Sequence, residues 1–304
     1  MAALTETGRG FVNAWECDEN DHYNVQFFAA KKDEAQAHFR LALGLPPCNL
    51  PDSQMHVSTV YDHIRFHGEL RVADMFTIKS GIVDWQDTTC VAYHEMRHVS
   101  TGQLSATYTS RWDHIDAATG NSAPWSGHSR ALAEQYRVDL PDDAQLRSAG
   151  RDGPLPDVTL QAADAKGLMS TYKGIVLPGE CDASGFMTTR HYVARFSDGA
   201  AHVWNQVGVD FKEGYQGGLG TVAVEDFISY RRPLRAGDVI LLKSYVRHVA
   251  RKTMSFAHLV FNAASGRIAA TVEVTAVLMD LDQRRATEFD PQIRTQLERA
   301  MVKL

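Results

Sequence analysis

The chain repeats itself at a fixed offset. Moving 164 residues along carries Glu16-Cys17-Asp18 onto Glu180-Cys181-Asp182, and Val60, Asp62 and Ile64 onto Val224, Asp226 and Ile228. The same step carries Leu70, Arg71 and Asp74 onto Leu234, Arg235 and Asp238, and Lys79-Ser80 onto Lys243-Ser244. Gly102, Ala106 and Thr107 land on Gly266, Ala270 and Thr271. About 25 of about 127 positions coincide without a gap, where chance gives about 8. Whatever the fold is, a unit of about 130 residues must form it, and two such units follow one another. The boundaries read as a first repeat over 1–136, a linker over 137–172 and a second repeat over 173–304. The linker contains VDLPDDAQLRSAGRDGPLPDV, whose Pro, Gly and Asp favour turns over long elements.

Both copies carry the same order of patterns. A short strand (9–16 and 173–180) leads through the Glu-Cys-Asp loop into a helix (24–43 and 188–207). Phe28, Ala35, Phe39 and Ala42 recur at helical spacing in the first, and Tyr192, Phe196, Gly199 and Val203 in the second. The small Ala35 and Gly199 predict close approach of a sheet. Four strand-like runs follow in each copy. In IAATVEVTAVLM, Val272, Val274, Ala276 and Leu278 alternate with Thr271, Glu273 and Thr275, which predicts one apolar and one polar face. Gly102 and Gly266 fall in turns. A closing helix is expected over 127–138 and again over 290–302, with Asp290 as N-cap and Pro291 as its first residue. A helix followed by an antiparallel sheet, twice over, is an α+β architecture.

Composition narrows the class of function. With 44% hydrophobic and 22% charged residues the chain reads as globular. A net charge of −6 argues against a nucleic-acid or anionic-membrane surface. No run approaches the roughly 18 apolar residues of a membrane span, and MAALTETGRG lacks the apolar core of a signal peptide. Cys17, Cys48, Cys90 and Cys181 form neither CxxC pairs nor a dense framework, so a soluble, cytoplasmic setting is expected.

The candidate chemistry sits in WECDENDHYN, residues 15–24. Four carboxylates, a histidine and two asparagines precede the apolar VQFFAA. A calcium loop starting at Asp18 needs glycine at its sixth position, where Tyr23 stands, and glutamate at its twelfth, where Ala29 stands. A zinc site lacks a second histidine at helical spacing. No metal is expected. Acidic residues before a helix are commonly caps and dipole partners. Asp18 and Asp182, however, persist while most of their neighbours change, which points to catalytic use. Glu16 and Glu180 persist too, as expected of partners for a neighbouring strand. His38 and His202 on the helices, and His94 and His258 on strands, read as packed core or edge residues. Cys17 and Cys181 read as small packing residues. Arg71, Asp74, Arg235 and Asp238 flank a turn and read as structural.

Two motifs in each copy resemble hotdog-fold thioesterases of the 4-hydroxybenzoyl-CoA thioesterase type. One is the helix entry, Asp18-Glu-Asn-Asp-His22-Tyr-Asn24-Val-Gln-Phe-Phe28, and again Asp182-Ala-Ser-Gly185-Phe-Met-Thr-Thr-Arg-His-Tyr192. The other is ISYRRPLRAGDVILL (228–242), with IRFHGELRVADMFTI (64–78) as its diverged counterpart. The resemblance covers nearly all of the chain except the linker. It implies a double hotdog: two tandem repeats, each a long helix wrapped by a curved antiparallel sheet.

It also implies an activity, the hydrolysis of an acyl-CoA thioester to free acid and coenzyme A. No prosthetic group is implied, and coenzyme A enters only as part of the substrate. Asp18 and Asp182 stand where the family carries its catalytic aspartate, with His22 and Asn24 beside the first. The backbone N–H groups of Val25 and Thr189 would receive the oxyanion, as helix N-termini are suited to do. Arg231, Arg232 and Arg235 are candidates for the coenzyme A phosphates. The copies depart from the family in complementary ways: Asp21 replaces the usual glycine in the first, and Phe186 and Thr188 replace histidine and asparagine in the second. If that glycine position needs a positive φ, aspartate tolerates it better than most residues. Acyl carrier protein as the thiol carrier, a non-catalytic acyl-CoA binder, and a hydratase or dehydratase are the rival readings. Neither nucleic acid nor membrane is an expected partner, and homo-oligomers of such pseudo-dimers are known for the fold.

Overall fold

Asn24 starts the first long helix. Its backbone is extended (φ −70°, ψ 142°) and its side chain accepts from Gln26 N at 3.0 Å, so α1 runs Val25–Ala42. The polar run before it is therefore partly a cap. Phe28, Ala35 and Phe39 are buried along α1 as their spacing predicts, and so are Lys32, Gln36 and Arg40. That second, polar stripe was not expected from the apolar pattern.

The computed structural model describes residues 4–151, 153–209 and 217–304. Two units divide the chain: residues 1–145 with 181–190, and residues 146–180 with 191–304. In the first unit α1 packs on an antiparallel sheet of five strands. These are β1 (Thr5–Phe11), β2 (Met55–Phe66), β3 (Met75–Trp85), β4 (Thr89–His98) and β5 (Leu104–Asp116). Their spatial order is β1-β3-β4-β5-β2. A short helix α2 (Gly127–Ala133) and a single 3-10 turn close the copy, shorter than the 127–138 expected. Phe39, Trp85, Trp112 and Trp125 anchor the core beneath it.

The second unit repeats the plan. Strands β6 (Met169–Ile175), β7 (Leu219–Tyr230), β8 (Val239–Val249), β9 (Thr253–Asn262) and β10 (Arg267–Asp280) pair in the order β6-β8-β9-β10-β7. A two-residue β11 (Arg285–Ala286) adds to β10. Within the linker lies α3 (Leu160–Ala165), the second long helix is α4 (Thr189–Gln206), and α5 (Pro291–Arg299) closes the chain. Asp290 caps α5 as read from the sequence, accepting from Gln292 N and Ile293 N at 2.8 and 2.9 Å. A Cβ at Gly199 of α4 would meet Leu242 and His258 at 3.1 and 3.2 Å, so the helix lies as close to its sheet as the small residue predicts.

One expectation needs correcting. The strands expected over 9–16 and 173–180 end at Phe11 and Ile175, and 3-10 turns follow at Ala14–Glu16 and Pro178–Glu180. The cause is local. Glu16 Oε2 accepts from Asn13 N, and Glu180 Oε2 from Leu177 N, each at 2.9 Å, which folds the backbone back three residues. The polar face of β10 is itself buried. Glu225 of β7 accepts from Arg147 N, Ser148 N and Ala149 N, while Glu273 accepts from Gly150 N at 3.1 Å. The linker is thus strapped across that face by its own amides. Gly150 adopts φ +78°, and a Cβ there would lie 2.6 Å from the Phe227 ring, so glycine is required.

Candidate active site

The two Glu-Cys-Asp loops fold alike. Asp18 N donates to His22 O at 3.0 Å and Asp21 N to Asp18 O at 3.1 Å; Asp182 N donates to Phe186 O at 2.8 Å and Gly185 N to Asp182 O at 3.0 Å. Each aspartate also turns its own chain, accepting from Asn20 N or Ser184 N at 2.9 Å. The conformation demands a positive φ at the position where the copies differ. Asp21 has φ +59° and Gly185 φ +83°. Aspartate tolerates the left-handed region better than most residues, so the loop survives loss of its glycine.

What each carboxylate meets is different. Asp18 Oδ2 lies 3.1 Å from His22 Nδ1, the two side chains being 13% and 12% exposed. Asp182 Oδ1 accepts instead from Ser184 N, Ser184 Oγ and Phe186 N. The helix entries differ in the same sense. As first residues of their helices, Val25 and Thr189 present amides with no acceptor inside the helix. The following amide is capped in both copies, by Asn24 at Gln26 N in the first. In the second, threonine replaces that asparagine, and Asp33 from α1 takes over, accepting from Arg190 N at 3.2 Å and from the Thr189 hydroxyl.

Asp33 belongs to a buried network on α1. Lys32 Nζ donates to Asp33 Oδ1 and to Asp62 Oδ2, both at 2.9 Å, and reaches Thr189 Oγ1 at 3.3 Å. Burial alone would favour the neutral amine, but the two carboxylates outweigh it and hold Lys32 above its ordinary range. The guanidinium of Arg190 lies 5.1 Å from the Phe27 ring centre. The loop of the second copy is therefore built against the helix of the first. Asp33, Lys32 and Asp62 were not singled out in the sequence, although retention of Asp62 as Asp226 was visible in the repeat.

The remaining candidates have structural company. Arg232 pairs with Asp157 at 2.8 Å, Arg231 with the same carboxylate at 3.8 Å, and Arg267 joins them at 3.5 Å. Arg235 N donates to Asp238 Oδ2 at 2.8 Å, repeating Arg71 N to Asp74 Oδ2 at the same distance. Three guanidiniums around one carboxylate leave a positive balance. Burial raises the Glu180 carboxyl, but the Leu177 amide and then Arg195 outweigh it and hold it below the usual range. His94 and His258 end matching buried chains, Thr7–Ser80–His94 and Thr171–Ser244–His258, with Oγ–Nδ1 distances of 2.6 and 2.5 Å. Burial lowers both imidazoles to about 3, so they are neutral structural pins. His38 and His202 are exposed on their helices. Cys17 is partly exposed, and burial followed by the nearby Asp21 and Asp18 carboxylates raises its thiol, which opposes a nucleophilic role. Among the described residues no three His, Cys, Asp or Glu side chains are grouped to hold a metal ion, and no helix is long and apolar enough to cross a membrane.

Residues 12–139 and 176–297 match the thioesterase-like superfamily. No curated protein sequence matches the chain. Among solved structures, a presumed oleoyl thioesterase from Lactobacillus plantarum superposes with a TM-score of 0.69 at 14% identity, covering 91% of this chain and 96% of its own. The 12:0-ACP thioesterase from Umbellularia californica gives 0.65 at 13% identity, over 89% and 93%. An acyl-ACP thioesterase from Bacteroides thetaiotaomicron gives 0.64 at 11% identity, over 89% and 96%. The loops and helices just described fall inside both matched segments. The chain belongs to the thioesterase-like superfamily, and its fold is a tandem pair of hotdog repeats.

Proposed function

We propose that the protein hydrolyses acyl thioesters, with acyl-CoA as the first substrate class. The observation that carries this reading is the Asp18–His22 contact of 3.1 Å, placed directly before a helix whose first amide has no acceptor within the helix. A thioester carbonyl needs an activated oxygen on one side and fixed donors for the oxyanion on the other. Asp18, oriented by His22, draws a proton from water as that water attacks the carbonyl carbon. The Val25 amide receives the developing negative charge. The C–S bond then breaks, and the thiolate leaves and is protonated.

A second reading concerns the carrier. The full-length structural relatives include enzymes named for acyl carrier protein, and Arg231 and Arg232 already have a partner in Asp157. Coenzyme A phosphates would have to compete with that carboxylate. The test is thiol release from matched acyl-CoA and acyl carrier protein panels, using wild type, Asp18→Asn and Asp182→Asn. Turnover that collapses in Asp18→Asn alone assigns the chemistry to the first loop. Equal loss in both variants means that both loops work. Tight acyl-CoA binding without release of thiol from any thioester would leave a non-catalytic binder instead.

A further inference from the structure

Helix α1 carries Lys32, Gln36 and Arg40 one above another on a buried face, exposed by only 0%, 9% and 6%. The repeat places Phe196, Ala200 and Trp204 at the same positions of α4. One copy thus keeps three polar side chains where the other shows that apolar ones suffice. At Lys32 the polarity is satisfied by Asp33 and Asp62. One and two turns further on it is not.

Arg40 Nη2 donates to Asn49 Oδ1 at 3.0 Å, but Nε is buried without a partner, and no carboxylate lies within ion-pair distance among the described residues. Asn49 is neutral and already accepts from Val57 N and donates to Val57 O. Burial pulls the guanidinium down to about 10, opposed by Cys48 and then by the Asp182 carboxylate, neither of which pairs with it, so it is still a cation at neutral pH. Gln36 Oε1 is also buried and unpartnered, and its Nε2 reaches only Thr59 Oγ1, at 3.5 Å. Turning that amide over lets Thr59 donate to the carbonyl and frees two N–H donors beside Arg40. A buried cation without a counter-charge is unfavourable unless something supplies one.

We infer that the substrate supplies it: Arg40, with Gln36, receives a carboxylate at the far end of the acyl group, so the preferred thioesters are those of dicarboxylic acids. The inference rests on the thioester reading with the second loop also at work, the reacting carbonyl of these substrates lying at Asp182 and the Thr189 amide, where Thr189 meets α1 at Lys32 and Asp33. Suberoyl-CoA turnover must therefore collapse in Asp182→Asn, and its survival there overturns the inference. Arg40 lies eight residues beyond Lys32, about 12 Å along the helix. The carboxylate is therefore distal to the reacting carbonyl and needs an acyl chain of intermediate length.

The test compares suberoyl-CoA with octanoyl-CoA, which differ in a terminal carboxylate against a methyl group. Wild type should favour suberoyl-CoA in kcat/KM by about tenfold or more, the scale of a charge-assisted hydrogen bond. Arg40→Met should abolish that preference and raise the Tm of the unliganded protein because a buried cation without an ion pair is gone. Arg40→Lys should keep part of the preference. Free suberate should raise the Tm of wild type and not of Arg40→Met, and should exceed both octanoate and sodium chloride at equal ionic strength. A preference for suberoyl-CoA that persists in Arg40→Met overturns the inference. So does a suberate shift no larger than that of chloride. If no thioester is turned over at all, the hydrolase reading fails, and the suberate shift alone then decides the role of Arg40.

Discussion

Lys32 Nζ donates to Asp62 Oδ2 at 2.9 Å, with the lysine 0% and the aspartate 1% exposed. Ser110 Oγ donates to the other carboxylate oxygen at 2.5 Å. The repeat keeps the aspartate as Asp226 but replaces both partners, with Phe196 for the lysine and Val274 for the serine. One copy holds a satisfied buried ion pair, and the other holds a buried acid whose Oδ1 has no partner. The duplication supplies an internal comparison that separates the cost of a buried charge from the fold carrying it.

Removing the lysine leaves two carboxylates without their shared counter-charge. Lys32→Met should destabilise the protein by about 3–5 kcal/mol in urea unfolding. Lys32→Met with Asp62→Leu should recover most of the loss, since the pair is replaced by apolar packing. A single-variant loss below about 1 kcal/mol would mean that the pair is not buried in solution.

Asp226 should make stability fall with rising pH. Burial, followed by the neighbouring Glu225 charge, raises its carboxyl from 3.8 to about 7. The folded state therefore holds a proton that the unfolded state releases between about pH 4 and 7. This contribution is complete below pH 4 and is lost as pH rises through about 7. Asp226→Asn should gain on wild type across that window, by about 2–4 kcal/mol at pH 8. Unfolding curves at pH 5, 6, 7 and 8 measure it, and a gain independent of pH would refute it.

The loop conformation predicts opposite responses in the two copies. Asp21→Gly relieves a left-handed residue and should be neutral or stabilising, by up to about 1 kcal/mol. Gly185→Val forces a β-branched residue to φ +83° and should cost about 1–2 kcal/mol. Thermal melts of both variants suffice, and destabilisation by Asp21→Gly would contradict the assigned geometry.

The matching Thr–Ser–His chains should act on stability alone. Ser80→Ala and Ser244→Ala each leave an imidazole nitrogen unpaired in the core, at a cost of about 1–3 kcal/mol. Both imidazoles stay neutral down to about 3, so neither variant should alter the pH–rate profile between pH 5 and 8. A moved inflection in that range would give these histidines a catalytic part.

Glu225 should hold the strap across the second sheet. Glu225→Ala removes the acceptor of three backbone amides. Hydrogen exchange at residues 147–149 should accelerate strongly, with little change in β8 and β9. Unchanged protection there would assign the docking to Glu273 and Gly150 alone.

Much of this architecture was legible because the repeat doubles every signal. Helix entry at Asn24, the cap at Asp290 and the close approach at Gly199 each follow from one residue's local chemistry, and the structure has all three. The need for a positive φ at the Asp21 and Gly185 position was readable for the same reason. The strand ends at Phe11 and Ile175 were misplaced because Glu16 and Glu180 fold back on the amides of Asn13 and Leu177, a long-side-chain contact that periodicity does not report. What covers the polar side of β10 was not readable, because Arg147 to Gly150 come from a segment rich in turn formers.

By itself, then, the sequence determined the tandem plan, the α+β class and the two aspartate loops. These depend on local backbone preference and on residues compared at one fixed offset. Only the tertiary structure decided what each charge meets: His22 at Asp18, Asp33 at the entry of α4, Asp157 among the arginines, and, among the described residues, no carboxylate at Arg40. Such pairings join residues from about 30 to more than 150 positions apart in several cases, and their energies depend on burial and on distances of a few ångströms. A linear pattern carries neither quantity.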